Sequence, residues 1–225
     1  MDKIIKDKKY LEVTYSKGIA PKNDYPFLLS KWIDRKIFKG PGKLLDLGCG
    51  RGDYLESFSH LGYKVSGADI SPNIKLLGLE YEVEKVDLEN SITPYKKESF
   101  DYVFSKSVVE HMHNPSNLLD IAHESLKPGG KVLIMTPSWE HTYWGPFYID
   151  HTHVTPFTAA SLHNLLEMLG YKNIEVKYFY QLPILWKFPF LKPLYKLFSK
   201  LPLPYRPYQK APWPNGLNKT IRFSK

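Results

Sequence analysis

The chain has 225 residues, 43% of them hydrophobic, with 31 Lys and Arg against 23 Asp and Glu and a net charge of +8. That length suits one α/β domain with a full core and is short for two, while the cationic surplus predicts a surface that attracts phosphates, nucleic acid or anionic lipid. No run of about eighteen apolar residues occurs, the charge-alternating start Met1-Asp2-Lys3-Ile4-Ile5-Lys6 carries no apolar signal region, and Cys49, the single cysteine, excludes an internal disulfide. The expected location is therefore cytoplasmic.

Tyr25 to Phe38 carries Leu28, Leu29, Trp32, Ile33 and Ile37 at helical spacing, which predicts a leading helix within an N-terminal segment, residues 1–43. Leu44-Leu45-Asp46-Leu47 reads as an apolar strand that enters a loop with glycine at 48, 50 and 52 and then a helix. Glycine there lets backbone pass close to a ligand and tolerates positive φ, so the turn suits a nucleotide-like molecule. A dinucleotide fingerprint needs a third glycine at position 53, where this chain has Asp53, and an acid at that place opposes a pyrophosphate. NAD is disfavoured.

Further along, Tyr63 to Gly67, Tyr81 to Val86, residues 100–105 and residues 131–136 read as strands. Asn114-Pro115 predicts an N-cap and first turn for a helix with Leu118, Leu119, Ala122 and Leu126 inward, stopped by Pro128-Gly129-Gly130. Thr158 predicts the cap of a helix with Leu162, Leu165, Leu166 and Leu169 on one face, ended by Gly170. Strands alternating with helices imply a parallel sheet with right-handed crossovers, and ligands of such sheets bind beyond the carboxyl ends of the strands.

The pattern Asp46-x-Gly48-x-Gly50-x-Gly52 resembles motif I of the class I S-adenosylmethionine-dependent methyltransferases. Four further stretches resemble that family's motifs in its order: Gly67-Ala68-Asp69-Ile70-Ser71, Val86-Asp87-Leu88-Glu89, Phe100 to Phe104 with Ser107 to Met112, and Leu126 to Leu133. The resemblance implies a three-layer, Rossmann-like α/β fold with a mostly parallel seven-stranded sheet and an antiparallel last strand. It places the core at 44–180, a substrate loop at 138–158 and the closing strand at 217–225. It also implies S-adenosyl-L-methionine as cofactor and S-adenosyl-L-homocysteine as product. The implied cofactor set is Asp46, Gly48, Gly50 and Gly52 in the loop, Asp69 on the ribose hydroxyls with Ile70 beside it, Asp87 and the Leu88 backbone at the adenine, and the backbone of Ser105 near the methionine part. Asp69 has an alternative use as a helix N-cap and Asp87 as a surface-turn acid; Lys106 reads as a solvated side chain.

A sulfonium carries its own leaving group, so the protein has to supply alignment and, for a hydroxyl acceptor, a base. His111, in the Glu-His pair common in this family, and His151 and His153, in Asp150-His151-Thr152-His153-Val154-Thr155-Pro156-Phe157-Thr158, are the candidates. Imidazole is largely neutral at cytoplasmic pH and suits the role. That loop resembles the His-rich, Pro-Phe-Thr loop of small methyltransferases encoded with bacterial cell-surface polysaccharide genes. Asp150, His151 and His153 offer a divalent-metal alternative, with both rings on one face of an extended strand, but no third distant ligand stands out, and metal is not favoured. A loop merely pinned by histidine hydrogen bonds is the structural alternative.

Residues 181–216 hold eight of the 18 prolines, eight aromatic residues, six Lys or Arg and no acid. Phe190 to Leu201 reads as a short amphipathic helix, and the segment matches an interfacial element on anionic lipid, centred on 185–205, or a lid packed on the core. The leading expectation is O-methylation of a small-molecule or glycan acceptor, carried on a lipid or not. A nucleic-acid methyltransferase is the alternative, favoured only by basicity and lacking both an appended recognition module and a ring-amine motif after the fourth strand. A quinone-type phenol acceptor shares the membrane-facing features of the leading expectation. A non-catalytic cofactor-binding protein is opposed by the intact acidic and glycine motifs, and oligomeric state is not legible.

Overall fold

A computed structural model describes residues 22–71, 74–92, 94–143, 147–198 and the backbone of 220–224. The expectations for residues 1–21, for the part of the basic segment at 199–216 with the end of its helix at Leu201, and for 217–219 and 225 of the closing strand lie outside the described residues.

The leading helix is α1 (Tyr25–Ile33), continued by one π-helical stretch at Asp34–Phe38 where a single helix was expected. Then come β1 (Lys43–Leu47), α2 (Asp53–His60), β2 (Lys64–Asp69), α3 (Ile74–Leu77), β3 (Glu82–Lys85) and β4 (Phe100–Lys106). They are followed by α4 (Pro115–Ser125), β5 (Leu126–Pro137), α5 (Trp139–Thr142), α6 (Ala159–Met168), β6 (Val176–Tyr180), α7 (Pro183–Lys187), α8 (Lys192–Phe198) and β7 (Thr220–Ser224). Strands β1 to β5 form a parallel sheet in the order β3-β2-β1-β4-β5, and β7 and β6 follow β5, with β7 antiparallel to both. The order reverses between β1 and β4, so a crevice opens at their carboxyl ends, where the loops after β1 and β4 diverge.

Alternation along the strands divides the core between the two faces. Leu45, Leu47, Val103, Val132 and Ile134 pack with Leu118 and Leu119 of α4 and Leu162 and Leu166 of α6. Leu44, Phe104, Leu133 and Met135 pack on the other face with Leu29 and Ile33 of α1 and Leu55 and Phe58 of α2. Each fully buried leucine contributes about 1.5–3 kcal/mol, so the two clusters hold helices on both sides and give three layers.

Three local expectations are corrected. Asn114 occupies the N-cap of α4 but makes no side-chain cap bond; instead the Glu89 carboxylate accepts from the His113 and Asn114 N–H groups at 2.6 and 3.0 Å. The helix ends at Ser125, and the Pro-Gly-Gly stretch belongs to β5, whose pairing starts at Phe100 and Leu126 and shifts register before Tyr102 and Lys131. The expected helix from Phe190 is split into a 3-10 turn, Pro189–Leu191, and α8, because prolines at 189 and 193 withdraw two backbone donors. Thr158, by contrast, caps α6 through a reciprocal box with Ser161.

Candidate active site

The glycine loop leaves β1 at the switch point with φ of 85°, 54° and 80° at Gly48, Gly50 and Gly52, all left-handed. A Cβ at Gly48 would stand 2.2 Å from Val108 Cγ2, and one at Gly52 would stand 2.5 Å from Leu77 Cδ2. At Gly50 it would meet nothing within 4 Å. The outer two glycines are thus required by packing, whereas Gly50 presents bare backbone to open space. Cys49 in this loop is buried, and burial pushes its thiol far above the ordinary range, which excludes a thiolate nucleophile.

Two carboxylates flank the loop. Asp69, at the end of β2, accepts from the Gly50 N–H at 2.8 Å and the Ser71 N–H at 2.7 Å, so it ties the loop to the neighbouring strand and forms a local Asx turn. Asp46 is 2% exposed and its Oδ2 is buried without a hydrogen-bond partner. Burial and then the Asp69 charge raise its carboxyl well above the usual range, with Lys106 pulling the other way. A buried acceptor without a donor beside bare loop backbone fits a cofactor that brings its own donor groups.

The adenine-side expectation falls on a turn. The Asp87 carboxylate accepts from the Glu89 N–H and Asn90 Nδ2, both at 3.2 Å, and the Leu88 carbonyl accepts from Asn117 Nδ2 at 2.9 Å. Ile70 is half-buried at the end of β2, and Ser105 is buried with its hydroxyl donating to the Leu47 carbonyl at 2.7 Å, which locks β4 to β1. Lys106 departs from its expected place in solvent: it is half-buried, with its ammonium 5.8 Å from the centroid of the Tyr54 ring.

The loop after β5 returns to the end of β4. The N–H groups of Val154 and Thr155 donate to the Glu110 carbonyl at 2.8 and 3.0 Å, and Trp139 N–H donates to Phe157 at 2.9 Å. Residues 150–152 form a turn, not the expected extended strand, and this separates the two loop histidines. His151 is exposed. His153 is half-buried and forms an edge-to-face pair with His111, with ring centroids 4.6 Å apart.

Hydrogen bonds set the tautomers of that pair. Thr152 Oγ1 donates its one proton to Asp150 Oδ1 at 2.6 Å, so in the 2.8 Å contact with Thr152 it is His111 Nδ1 that donates. His153 Nδ1 faces the Phe147 carbonyl at 2.6 Å, which only accepts, so it too carries hydrogen. In the neutral rings both Nε2 atoms then carry the lone pair. Burial and then His153 lower the His111 pKa to about 4, which keeps that ring neutral, and Asp150 opposes them. Asp150 thus acts on the His111 ring through Thr152.

Glu110 completes the cluster. It is fully buried, Thr136 donates to its Oε2 at 3.0 Å, and its Oε1 has no hydrogen-bond partner. Burial raises its pKa to about 7, against the hydrogen bonds and Lys106. One ligand atom each from Glu110, His111 and His153 lie within 4.8 Å of one another, so among the described residues this trio, rather than Asp150, His151 and His153, is the set able to hold a metal ion. The Glu-His pair and His153 were each legible in the sequence; that they meet, joined through Thr152 across about forty residues, carries no local signature.

Residues 24–176 match the family model described as a methyltransferase domain. The chain is similar to the ubiquinone biosynthesis O-methyltransferase of Pseudomonas entomophila, 29% identical over 123 residues that cover 52% of this chain and 53% of that protein. It therefore spans about half the length of that curated relative. Among solved structures, a SAM dependent methyltransferase from Archaeoglobus fulgidus aligns with a TM-score of 0.61 at 23% identity, covering 88% of this chain and 92% of the other. The Burkholderia thailandensis 1,6-didemethyltoxoflavin-N1-methyltransferase, solved with its acceptor and S-adenosylhomocysteine, aligns with a TM-score of 0.58 at 15% identity, covering 88% and 76%. At these identities the structural likeness is one of fold. The family match takes in β1 to β5, the glycine loop, both flanking carboxylates and the Glu-His pair, and on that ground the chain belongs to the methyltransferase-domain family, with S-adenosyl-L-methionine as the cofactor of its kind.

Proposed function

We propose that this chain is an O-methyltransferase that moves the methyl group of S-adenosyl-L-methionine to a hydroxyl of a small-molecule or glycan acceptor. The observation that carries the reading is the fixed tautomer of the His111 and His153 pair, held where the loop after β5 docks on the end of β4. When bound, the cofactor supplies an activated methyl group and a neutral thioether leaving group. In this reading Gly48, Gly50 and Gly52 carry backbone past it, Asp46 and Asp69 receive its donors, and Asp87, Leu88, Ile70 and Ser105 line its remaining length. An imidazole Nε2 accepts the acceptor's hydroxyl proton. Alignment of two reactants can contribute an effective molarity of roughly 10⁵ to 10⁸ M and a placed base about 10² to 10⁴, so positioning is the larger share. His151, exposed on the turn, has no part in it.

Calorimetric titration with S-adenosyl-L-methionine and S-adenosyl-L-homocysteine tests the cofactor half. Saturable binding, lost in Asp69→Ala, is expected; binding that survives this change removes Asp69 from the site. A methylation screen across sugar, lipid-linked and phenolic acceptors tests the other half. The phenolic class stands as a second reading because of the ubiquinone O-methyltransferase relative. The likeness of residues 150–158 to polysaccharide-cluster enzymes supports the glycan reading.

The same reading includes a core at 44–180, sheet closure by Thr220–Ser224 as an antiparallel seventh strand, and a contact of the 181–216 segment with anionic lipid. Support for the last is the exposure of Ile184, Phe188, Phe190 and Leu194 among Lys187, Lys192 and Lys196. Among the described residues no helix is long and apolar enough to cross a membrane, so the contact is peripheral. Phe190→Asp with Leu194→Asp is expected to abolish co-sedimentation with phosphatidylglycerol vesicles; unchanged sedimentation would refute the contact.

A further inference from the structure

The buried Glu110 carboxylate is an acidic group of the acceptor side that the proposed proton transfer does not use. Its position is expensive: an uncompensated buried carboxylate oxygen loses its hydration and gains nothing in return. Thr136 serves only one of the two oxygens. Beside it stand two imidazoles whose Nδ1 atoms are both occupied as donors, the arrangement in which a histidine presents Nε2 to a metal and is oriented by an outer hydrogen bond.

We propose that Glu110, His111 and His153 form a binding site for a divalent first-row transition cation such as Zn²⁺ or Co²⁺. Two nitrogens and one carboxylate oxygen match the donor preference of these ions over Mg²⁺ or Ca²⁺, which select all-oxygen sites. The ligand atoms lie within 4.8 Å of one another, so holding an ion asks them to close to metal–ligand distances of about 2.0–2.2 Å. The outer shell is in place: Asp150 through Thr152 behind His111, the Phe147 carbonyl behind His153 and Thr136 behind Glu110. Three protein ligands leave a position for an oxygen of an acceptor or water, as in open metal sites. With the ion bound both Nε2 lone pairs are engaged, so the proton acceptance proposed above belongs to the ion-free site, and the inference rests on the proposed function only for what that oxygen belongs to.

The test uses the whole chain, stripped with chelator, dialysed and titrated with Co²⁺ while the visible absorption is followed, with Zn²⁺ competition by calorimetry. One equivalent is expected to bind with d–d absorption bands, and Glu110→Gln and His153→Ala are each expected to weaken binding at least tenfold. His151→Ala should leave it as in the parent. Retained calorimetric binding of S-adenosyl-L-methionine in Glu110→Gln and His153→Ala shows that those variants are folded. No saturable Co²⁺ or Zn²⁺ binding would overturn the proposal, as would binding that ignores Glu110→Gln or depends on His151. Failure of the methyltransferase reading shows separately, as absent cofactor binding with cation binding intact.

Discussion

Replacing Glu110 by Gln keeps the shape of the buried side chain while removing its ability to ionise, and the consequence for stability has a definite sign. The folded-state pKa of about 7 lies above the ordinary 4.5, so the folded protein holds a proton that the unfolded chain releases. The stability this contributes is fully present below pH 4.5 and is lost as pH rises through the interval to 7, after which it stays flat. A shift of that size corresponds to about 3 kcal/mol, an upper figure because local relaxation and water entry reduce it. The amide of Gln serves the unpartnered Oε1 position no better than the carboxylate does, so that cost is common to both chains and cancels in the comparison. In urea titrations with chelator present, the Gln variant is expected to be more stable than the parent by about 1–3 kcal/mol at pH 8, and the two should agree within about 1 kcal/mol near pH 4.5. A difference that is the same at both pH values would refute the claim that burial of an ionisable carboxyl is what separates the two chains.

The glycine loop offers a paired test. Gly48→Ala brings a Cβ to within 2.2 Å of Val108, and with the positive φ it is expected to destabilise the fold by about 2–4 kcal/mol, partly recovered by adding Val108→Ala. Gly50→Ala meets no atom, so its melting temperature should fall much less while cofactor affinity falls tenfold or more; a large melting loss at Gly50 would contradict the open space there. Asp69→Ala should also shift the amide resonance of Gly50, which loses its acceptor, and an unmoved resonance would disprove the tie. His153→Ala should lower turnover while sparing cofactor affinity in calorimetry; equal loss of affinity would make the residue a scaffold.

What the sequence made legible is what local chemistry decides. The order β1, glycine loop, α2 is written in Leu44 to Gly52, because glycine takes left-handed backbone without the Cβ penalty, and at two of the three positions a side chain is packed where a Cβ would go. The capping box at Thr158 is likewise local, closing between residues three apart. Asn114 misled because the residue that serves the start of α4 is Glu89, from the turn after β3, and no short window contains both. Lys106 misled for a similar reason: its neighbours Tyr54, Asp46 and Glu110 come from other elements, and only their convergence takes it out of solvent.

The histidines are the instructive case. A His-x-His spacing places both rings on one face only if the backbone is extended, and here the Asp150 carboxylate accepts from the Thr152 N–H at 3.0 Å and bends the chain into a turn. The turn leaves His151 in solvent and sends Thr152 and His153 toward the end of β4, where His111 closes the 3-10 turn Val109–His111. The acid that opens this stretch is therefore what breaks the symmetry of the two histidines. Asp150 acts twice, through its oxygen on the backbone of Thr152 and through the hydroxyl of that residue on His111. Asp150→Asn keeps an acceptor for the turn but weakens the pull on the Thr152 hydroxyl, so the loop should keep its fold while the nuclear magnetic resonance signals of the His111 ring nitrogens change. If those signals stay as in the parent while His153 changes, the relay runs to the other ring and the assignment of roles within the pair reverses.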